Sequence, residues 1–277
     1  MTITSYFLRL AAAAGMLSAA FSASAAEKSV MLAATTSTDN SGLLAYLLPI
    51  FEAKTGIKVH VLTVGTGQAL RAARNGDVDV VLVHDRASEL KFVAEGYGVE
   101  RREVMYNHFI LVGPRDDPAG INGLKDAVAA FRKIARARAA FVSRGDDSGT
   151  HKAERRLWKA AGIDPAARPN KWHREAGSGM GATLNIAAAM SAYALSDHGT
   201  WMSFRNRRTL TVLVQGDQRL FNQYGIILVN PRKHAHVKHT EARVLADWIT
   251  SAEGQQAIGA FTIDGCQPFI PNHRGGG

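Results

Sequence analysis

The sequence predicts an α/β fold in two lobes, each a mixed sheet flanked by helices, joined by two crossover strands. Two observations predict it. First, short β-branched runs alternate with helical patterns along the chain, as strands covered by helices require. Second, Phe109-Ile110-Leu111-Val112-Gly113-Pro114 resembles Ile226-Ile227-Leu228-Val229-Asn230-Pro231. These two apolar strands, each ending in a turn, bracket a central block of about 110 residues. A chain that leaves one lobe through the first and returns through the second has a discontinuous first lobe and an inserted second. The expected boundaries are 27–110 plus 228–277 for the first lobe and 111–227 for the second.

Residues 1–26 read as a signal peptide. Arg9 is their only basic side chain, an apolar run covers 10–21, and Ser22-Ala23-Ser24-Ala25-Ala26 follows. The run is too short to span a bilayer, and small-x-small spacing is what signal peptidase reads. Residues 30–34 then read as a strand. Over 41–54, Leu43, Leu44, Leu47, Leu48 and Phe51 share one helical face. Pro49 predicts a kink or early break there, and Gly56 a stop. Residues 57–64 alternate as a strand, 68–75 form a helix closed by Gly76, and 80–83 are continuously apolar, like a strand buried on both faces.

In the second set, 139–143, 193–195 and 211–214 read as strands, and 148–161 and 181–191 as helices. Residues 247–260 read as one or two helices, and 274–277 as a polar tail. Phe51, Phe131 and Trp248 sit in helical patterns as core.

The 277-residue chain carries a formal net charge of +9, or +8 without Arg9. Basic runs at 132–138, 205–208 and 232–239 have no aromatic platform or recognition motif beside them, so they read as solvated faces, with no nucleic-acid partner. The single cysteine, Cys266, excludes an intrachain disulfide and reads as a small buried apolar residue. His234-x-His236-x-x-His239 has transition-metal spacing, yet a solvated loop or helix start accounts for it better, and no metal cation is expected.

Four strand-to-helix junctions carry the chemistry. They are Thr35-Thr36-Ser37-Thr38-Asp39-Asn40-Ser41-Gly42, Gly65-Thr66-Gly67, Ser143-Arg144-Gly145-Asp146-Asp147-Ser148-Gly149-Thr150 and Gly177-Ser178-Gly179-Met180-Gly181. A helix start leaves about four N–H groups unpaired at a positive dipole end. Glycine lets an anion approach the backbone, and hydroxyls add donors. Two such loops fall in each expected lobe. Strand ends on one sheet edge let them converge on a crevice. Arg144 is the candidate for direct charge pairing, with Asp146 or Asp147 holding its fork.

These blocks resemble the tungstate-binding periplasmic proteins (TupA-like). The resemblance rests on Thr35 to Thr38 before Ser41-Gly42-Leu43-Leu44. It also rests on Val64-Gly65-Thr66-Gly67-Gln68-Ala69-Leu70 and Val80-Val81-Leu82-Val83-His84-Asp85. Ser143 to His151, Gly179-Met180-Gly181-Ala182-Thr183-Leu184-Asn185 and Asn222-Gln223-Tyr224-Gly225 complete it. It covers nearly the whole chain after the signal and implies a type II periplasmic binding protein serving an ABC importer. It implies no enzyme, no cofactor, a monomer in the periplasm, and tungstate or molybdate as ligand. Thr36 and Ser37 would donate from hydroxyl and backbone, with Thr66 in the second loop. Arg144, Ser148, Gly149 and Thr150 would face them from the other lobe, and Met180 and Gly181 would add backbone contacts.

Two other readings stay open. Phosphate suits an Arg-Gly-Asp-Asp-Ser-Gly-Thr loop, with a carboxylate accepting its proton. Asp147-Ser148-Gly149 beside His151 superficially suits a serine hydrolase, but adjacency in sequence is not a triad. Domain closure is expected to hinge near 106–113 and 224–229.

Overall fold

The computed structural model describes residues 28–167 and 171–273. The expected signal segment and the 274–277 tail lie outside them. In chain order the first elements are β1 (Ser29–Thr35), α1 (Thr36–Asn40), α2 (Leu43–Thr55), β2 (Lys58–Val64), α3 (Thr66–Asn75), β3 (Val80–Val83), α4 (Arg86–Ala94) and β4 (Gly98–Pro114). Then come α5 (Ala127–Ala137), β5 (Phe141–Ser143), α6 (Gly149–Ala161), β6 (His173–Glu175), α7 (Met180–Met190), β7 (Ala194–Asp197), α8 (His198–Ser203) and β8 (Leu210–Val214). A 3-10 turn at Gln218–Leu220 leads into β9 (Phe221–Val229), α9 (His239–Thr250), α10 (Ala252–Ala260) and β10 (Ile270–Pro271).

The first sheet runs β2-β1-β3-β9-β4-β10. β1 is parallel to β2 and β3, while β9 is antiparallel to both β3 and β4. The central strands β1 and β3 are apolar on both faces because both are covered. Val30, Leu32, Val80 and Leu82 join one buried cluster with side chains of α2, α9 and α10. Ala33, Val81 and Val83 join another with α3 and α4. Phe51 is fully buried, its ring 5.5 Å from that of Trp248. Truncating such a ring to alanine costs about 3–5 kcal/mol.

The second lobe reuses β4. Its last part, Phe109 to Pro114, pairs antiparallel with β7 and β8. β5 pairs parallel with β6 and touches the start of β7 through Phe141 and Tyr193. Phe131 and Trp158 pack edge to face at 4.3 Å in its core. Buried members of the first lobe's clusters stop at Met105 and resume at Tyr224, and those of the second lobe run from Phe109 to Leu220.

This pairing differs from the expected 111–227 second lobe and the expected 224–229 hinge. All of β9 is hydrogen-bonded inside the first sheet, between β3 and the first part of β4. We therefore propose that the crossovers lie at His108–Phe109 and Leu220–Phe221.

Several local expectations change too. Pro49 neither breaks α2 nor ends it early: the helix continues to Thr55, with Leu47 and Phe51 buried on either side of the proline. Gly42, at φ 84°, separates α2 from the short α1. Cys266 is exposed, not buried. It closes a tight turn in which Asp264 and Gly265 take positive φ and Ile263 and Cys266 exchange backbone bonds of 2.9 and 3.0 Å. His234 and His236 bond the carbonyls of Arg74 and Gly76 at 2.8 Å each, while His239 begins α9. They cover the C-terminal end of α3, and no metal-binding cluster occurs among the described residues. No described helix is long and apolar enough to cross a membrane.

Candidate functional site

Each of the four candidate loops follows a strand end and opens a helix, and three of these helices lack a side-chain cap. The N-caps Thr35 of α1, Gly65 of α3 and Gly179 of α7 make no capping bond, so first-turn N–H groups remain for another acceptor. In α6 the Ser148 hydroxyl accepts from His151 N at 3.2 Å. α1 lies against α7, so the first loop of one lobe meets the last loop of the other.

Arg144 is the centre of this meeting. It is 2 % exposed, although it carries a full charge. One terminal nitrogen forms an ion pair with Asp146 and lies 3.4 Å from the Thr36 hydroxyl of the first lobe. Its Nε has no protein partner. Thr150 Oγ1, Ser143 Oγ and Ser178 Oγ are likewise buried without partners. Such groups cost about 1–3 kcal/mol each when left unpaired. All four belong to the candidate loops of the second lobe, and all can donate to an anion.

The lobes are already in contact around the site. Gly67 N donates to Asp147 O at 3.3 Å, Arg156 pairs with Asp85 at 2.5 Å, and Lys152 donates to Ser88 Oγ at 3.2 Å. A Cβ at Gly149 would overlap the His84 carbonyl oxygen. This is a closed arrangement in which glycine permits backbone to meet backbone.

The two carboxylates of the Arg144 loop have protein partners. Asp146 accepts from Arg144 through Oδ2 and from Ser148 N through Oδ1 at 3.2 Å. Asp147 turns out to Arg71 at 3.3 Å and Lys152 at 3.2 Å. Both carboxylates of the Arg144 loop thus face protein donors. Asp197 Oδ2, at the start of α8, is buried without a partner.

Of the expected residues, Thr36 and Arg144 are brought into contact, and Ser37, Thr66, Ser148, Gly149 and Thr150 are buried beside them. Met180 differs in kind. Its side chain lies in the apolar cluster with Leu184, so only its backbone N–H faces outward from the helix start. The Ser37 hydroxyl is committed to His84 Nε2 at 3.2 Å and Thr35 Oγ1 at 3.1 Å, which leaves its backbone N–H for a ligand.

Sequence reasoning quoted His84 and Asn222 within the resembling blocks without giving them a role, and it missed Asn107. His84 Nδ1 lies 2.9 Å from Asn222 Oδ1, and Asn222 Nδ2 donates to Asn107 Oδ1 at 2.7 Å. Burial depresses the His84 pKa below the usual 6.5, against the attraction of Asp197. Burial likewise raises that of Tyr224, stacked on it at 4.8 Å. The sequence signals were those blocks and, for His84, its place directly after a fully buried strand.

Comparison with known proteins agrees with this architecture. A family profile described as "PBP superfamily domain" matches residues 22–253. A tungstate-binding protein TupA of Peptoclostridium acidaminophilum is 46% identical over 251 residues, covering 89% of this chain and 87% of the relative. A putative ABC transporter anion-binding protein of Haloferax volcanii is 49% identical over 246 residues, covering 87% of this chain and 71% of the relative. The tungstate-binding protein TupA from Desulfovibrio alaskensis G20 superposes with a TM-score of 0.75 at 44% identity, covering 89% of this chain and 100% of that one. The tungstate ABC transporter structure from Geobacter sulfurreducens gives 0.77 at 50% identity, covering 85% and 99%.

Proposed function

For this chain, which belongs to the PBP superfamily and within it to the family of the TupA tungstate-binding proteins, we propose capture of tungstate outside the cytoplasm for an ABC importer. The observation that carries this reading is Arg144, buried between the lobes with an unpartnered Nε and in reach of Thr36 from the opposite lobe. Binding works by substitution of solvent. The dianion exchanges water for N–H and O–H donors fixed in place before it arrives, in a site where electrostatic interactions are stronger than in water. Thr36 Oγ1, the Ser37 N–H and Thr66 supply the first lobe. Arg144, Gly149, Thr150 and the helix start at Met180–Gly181 supply the second, with Ser148 capping α6. No bond is made or broken.

Tungstate is favoured over phosphate by the TupA relatives, and each Asp146 oxygen already accepts one hydrogen bond. The serine hydrolase alternative lacks its base: the His151 imidazole accepts from Asp147 N at 3.1 Å, and Ser148 Oγ accepts from His151 N. The periplasm, a cleaved 1–26 signal, a monomeric state and docking on a membrane permease complete the proposal. Calorimetric competition among tungstate, molybdate, sulfate and phosphate tests it. Tungstate should bind with nanomolar affinity, about −12 kcal/mol. Tighter binding of phosphate than of tungstate would refute it.

A further inference from the structure

We propose that His84 is a positioning residue that couples the first ligand loop to both crossovers, so that lobe closure and ligand-loop order are one event. The proposal rests on the oxyanion reading of the site. His84 is 2 % exposed and sits between β3 and α4. It reaches in three directions. Nε2 meets Ser37 Oγ of the ligand loop at 3.2 Å. Nδ1 meets Asn222 Oδ1 at 2.9 Å. Its ring lies where a Cβ on Gly149 would come within 2.6 Å, so the first turn of α6 in the other lobe rests on it.

Asn222 continues the path. Its Nδ2 donates to Asn107 Oδ1 at 2.7 Å, and the two asparagines are register partners on β9 and β4. Each is within two residues of a crossover, at Leu220–Phe221 and His108–Phe109. The strands thus change lobe where this network is anchored.

The protons fix the direction of each bond. With Asn222 Nδ2 donating to Asn107, its Oδ1 accepts from His84 Nδ1–H. Nε2 then accepts the Ser37 hydroxyl proton. This holds Ser37 so that its backbone N–H, not its hydroxyl, is left for the anion. A neutral imidazole is required, and burial favours one. The charged groups around it are Asp197, Asp85 and Arg144. A rotation at the crossovers that moved Asn222 would pull on His84 and, through it, on the ligand loop.

The test uses His84→Leu, Asn222→Leu and their double variant, with His84→Gln as the conservative form, whose amide reaches the Nε2 position. Tungstate affinity is measured by calorimetry. Lobe separation is measured between spin labels on the native, exposed Cys266 and on Lys159→Cys, which is exposed on α6. Each Leu variant should weaken binding at least about tenfold. The double variant should be no weaker than His84→Leu alone, because both break one path. His84→Gln should recover part of the loss, and His84→Leu should shift the ligand-free lobe separation. Affinity of His84→Leu within about twofold of wild type, or losses that add, would overturn the coupling. If His84→Leu does not fold, His84→Gln and Asn222→Leu decide by the same criteria. If wild type binds none of the four oxyanions, the reading of the site fails. An unchanged ligand-free separation in His84→Leu, or in the two substitute variants, then separately refutes the coupling.

Discussion

Replacing Arg144 by alanine is the direct test of the oxyanion reading. Two consequences follow from the geometry. The guanidinium loses its bonds to the ligand, each charge-assisted bond contributing roughly 1.5–3 kcal/mol. Losing one bond corresponds to about tenfold to two-hundredfold in Kd. In addition, Asp146 loses its ion-pair partner while only 16 % exposed, so an uncompensated carboxylate faces the incoming dianion. The double variant Arg144→Ala, Asp146→Ala removes that repulsion and should recover part of the loss. Arg144 is among the largest fully buried side chains and its loss strands the Asp146 carboxylate, so the ligand-free thermal transition should fall, and affinity is read at a temperature below it. The assay is titration calorimetry with tungstate, paired with thermal unfolding without ligand. Unchanged affinity in Arg144→Ala would refute the assignment. So would a double variant weaker than the single one, because the repulsion argument predicts the reverse.

Three further outcomes follow from the same geometry. Thr150→Val is nearly isosteric and removes a buried hydroxyl with no protein partner; it should weaken binding about tenfold without lowering stability, and a fall in stability with intact affinity would contradict the donor role. Gly149→Ala places a Cβ into the His84 carbonyl and ring, so it should block closure and weaken tungstate by at least about tenfold while the open lobes keep their folds. Unaltered binding would mean that the lobes close without this contact. The third outcome concerns pH. His84 has a depressed pKa in the folded state, so from about 6.5 downward the unfolded chain binds a proton that the native chain rejects. The stability difference between wild type and His84→Gln should therefore shrink as pH falls below about 6.5. Glu89, raised to about 6 by burial, acts in the opposite sense at lower pH, but it is common to both proteins and cancels in the difference. Denaturant unfolding at several pH values measures it, and a difference that widens on acidification would be incompatible with the buried neutral imidazole.

The part of the site legible in the sequence was the part built from local chemistry. Gly65-Thr66-Gly67 and Gly179-Met180-Gly181 announce helix starts with bare N–H groups because glycine cannot cap with a side chain. The continuous apolar run of β3 likewise announces burial on both faces. What escaped depends on register between distant segments. His84 meets Asn222 only because β3 pairs with β9, Val83 opposite Gly225, and nothing near either residue encodes that pairing. The early part of β4 escaped for another reason. Arg101, Arg102 and Glu103 interrupt any apolar run, but Arg101 is paired with the buried Glu89 at 2.7 Å and Arg102 with Asp247 at 2.5 Å. Partners supplied by α4 and α9 make a charged segment acceptable as a strand. Cys266 reversed its expectation because turn geometry at Asp264 and Gly265 outranks the hydropathy of one side chain.

The local charge balance explains why two lobes are needed at all. Arg144 and Asp146 are paired, so these side chains offer a dianion little net charge. Its neutralisation must come from N–H and hydroxyl dipoles, which act over short distances and must surround the ligand. In the proposed site neither lobe provides such a shell alone: the first would contribute Thr36, Ser37 and Thr66, and the second Arg144, Thr150 and the start of α7. Closure gathers the donors and excludes the water that would screen them. The same requirement accounts for Gly67 and Gly149. A side chain at either would meet the opposite lobe and hold the two half-shells apart.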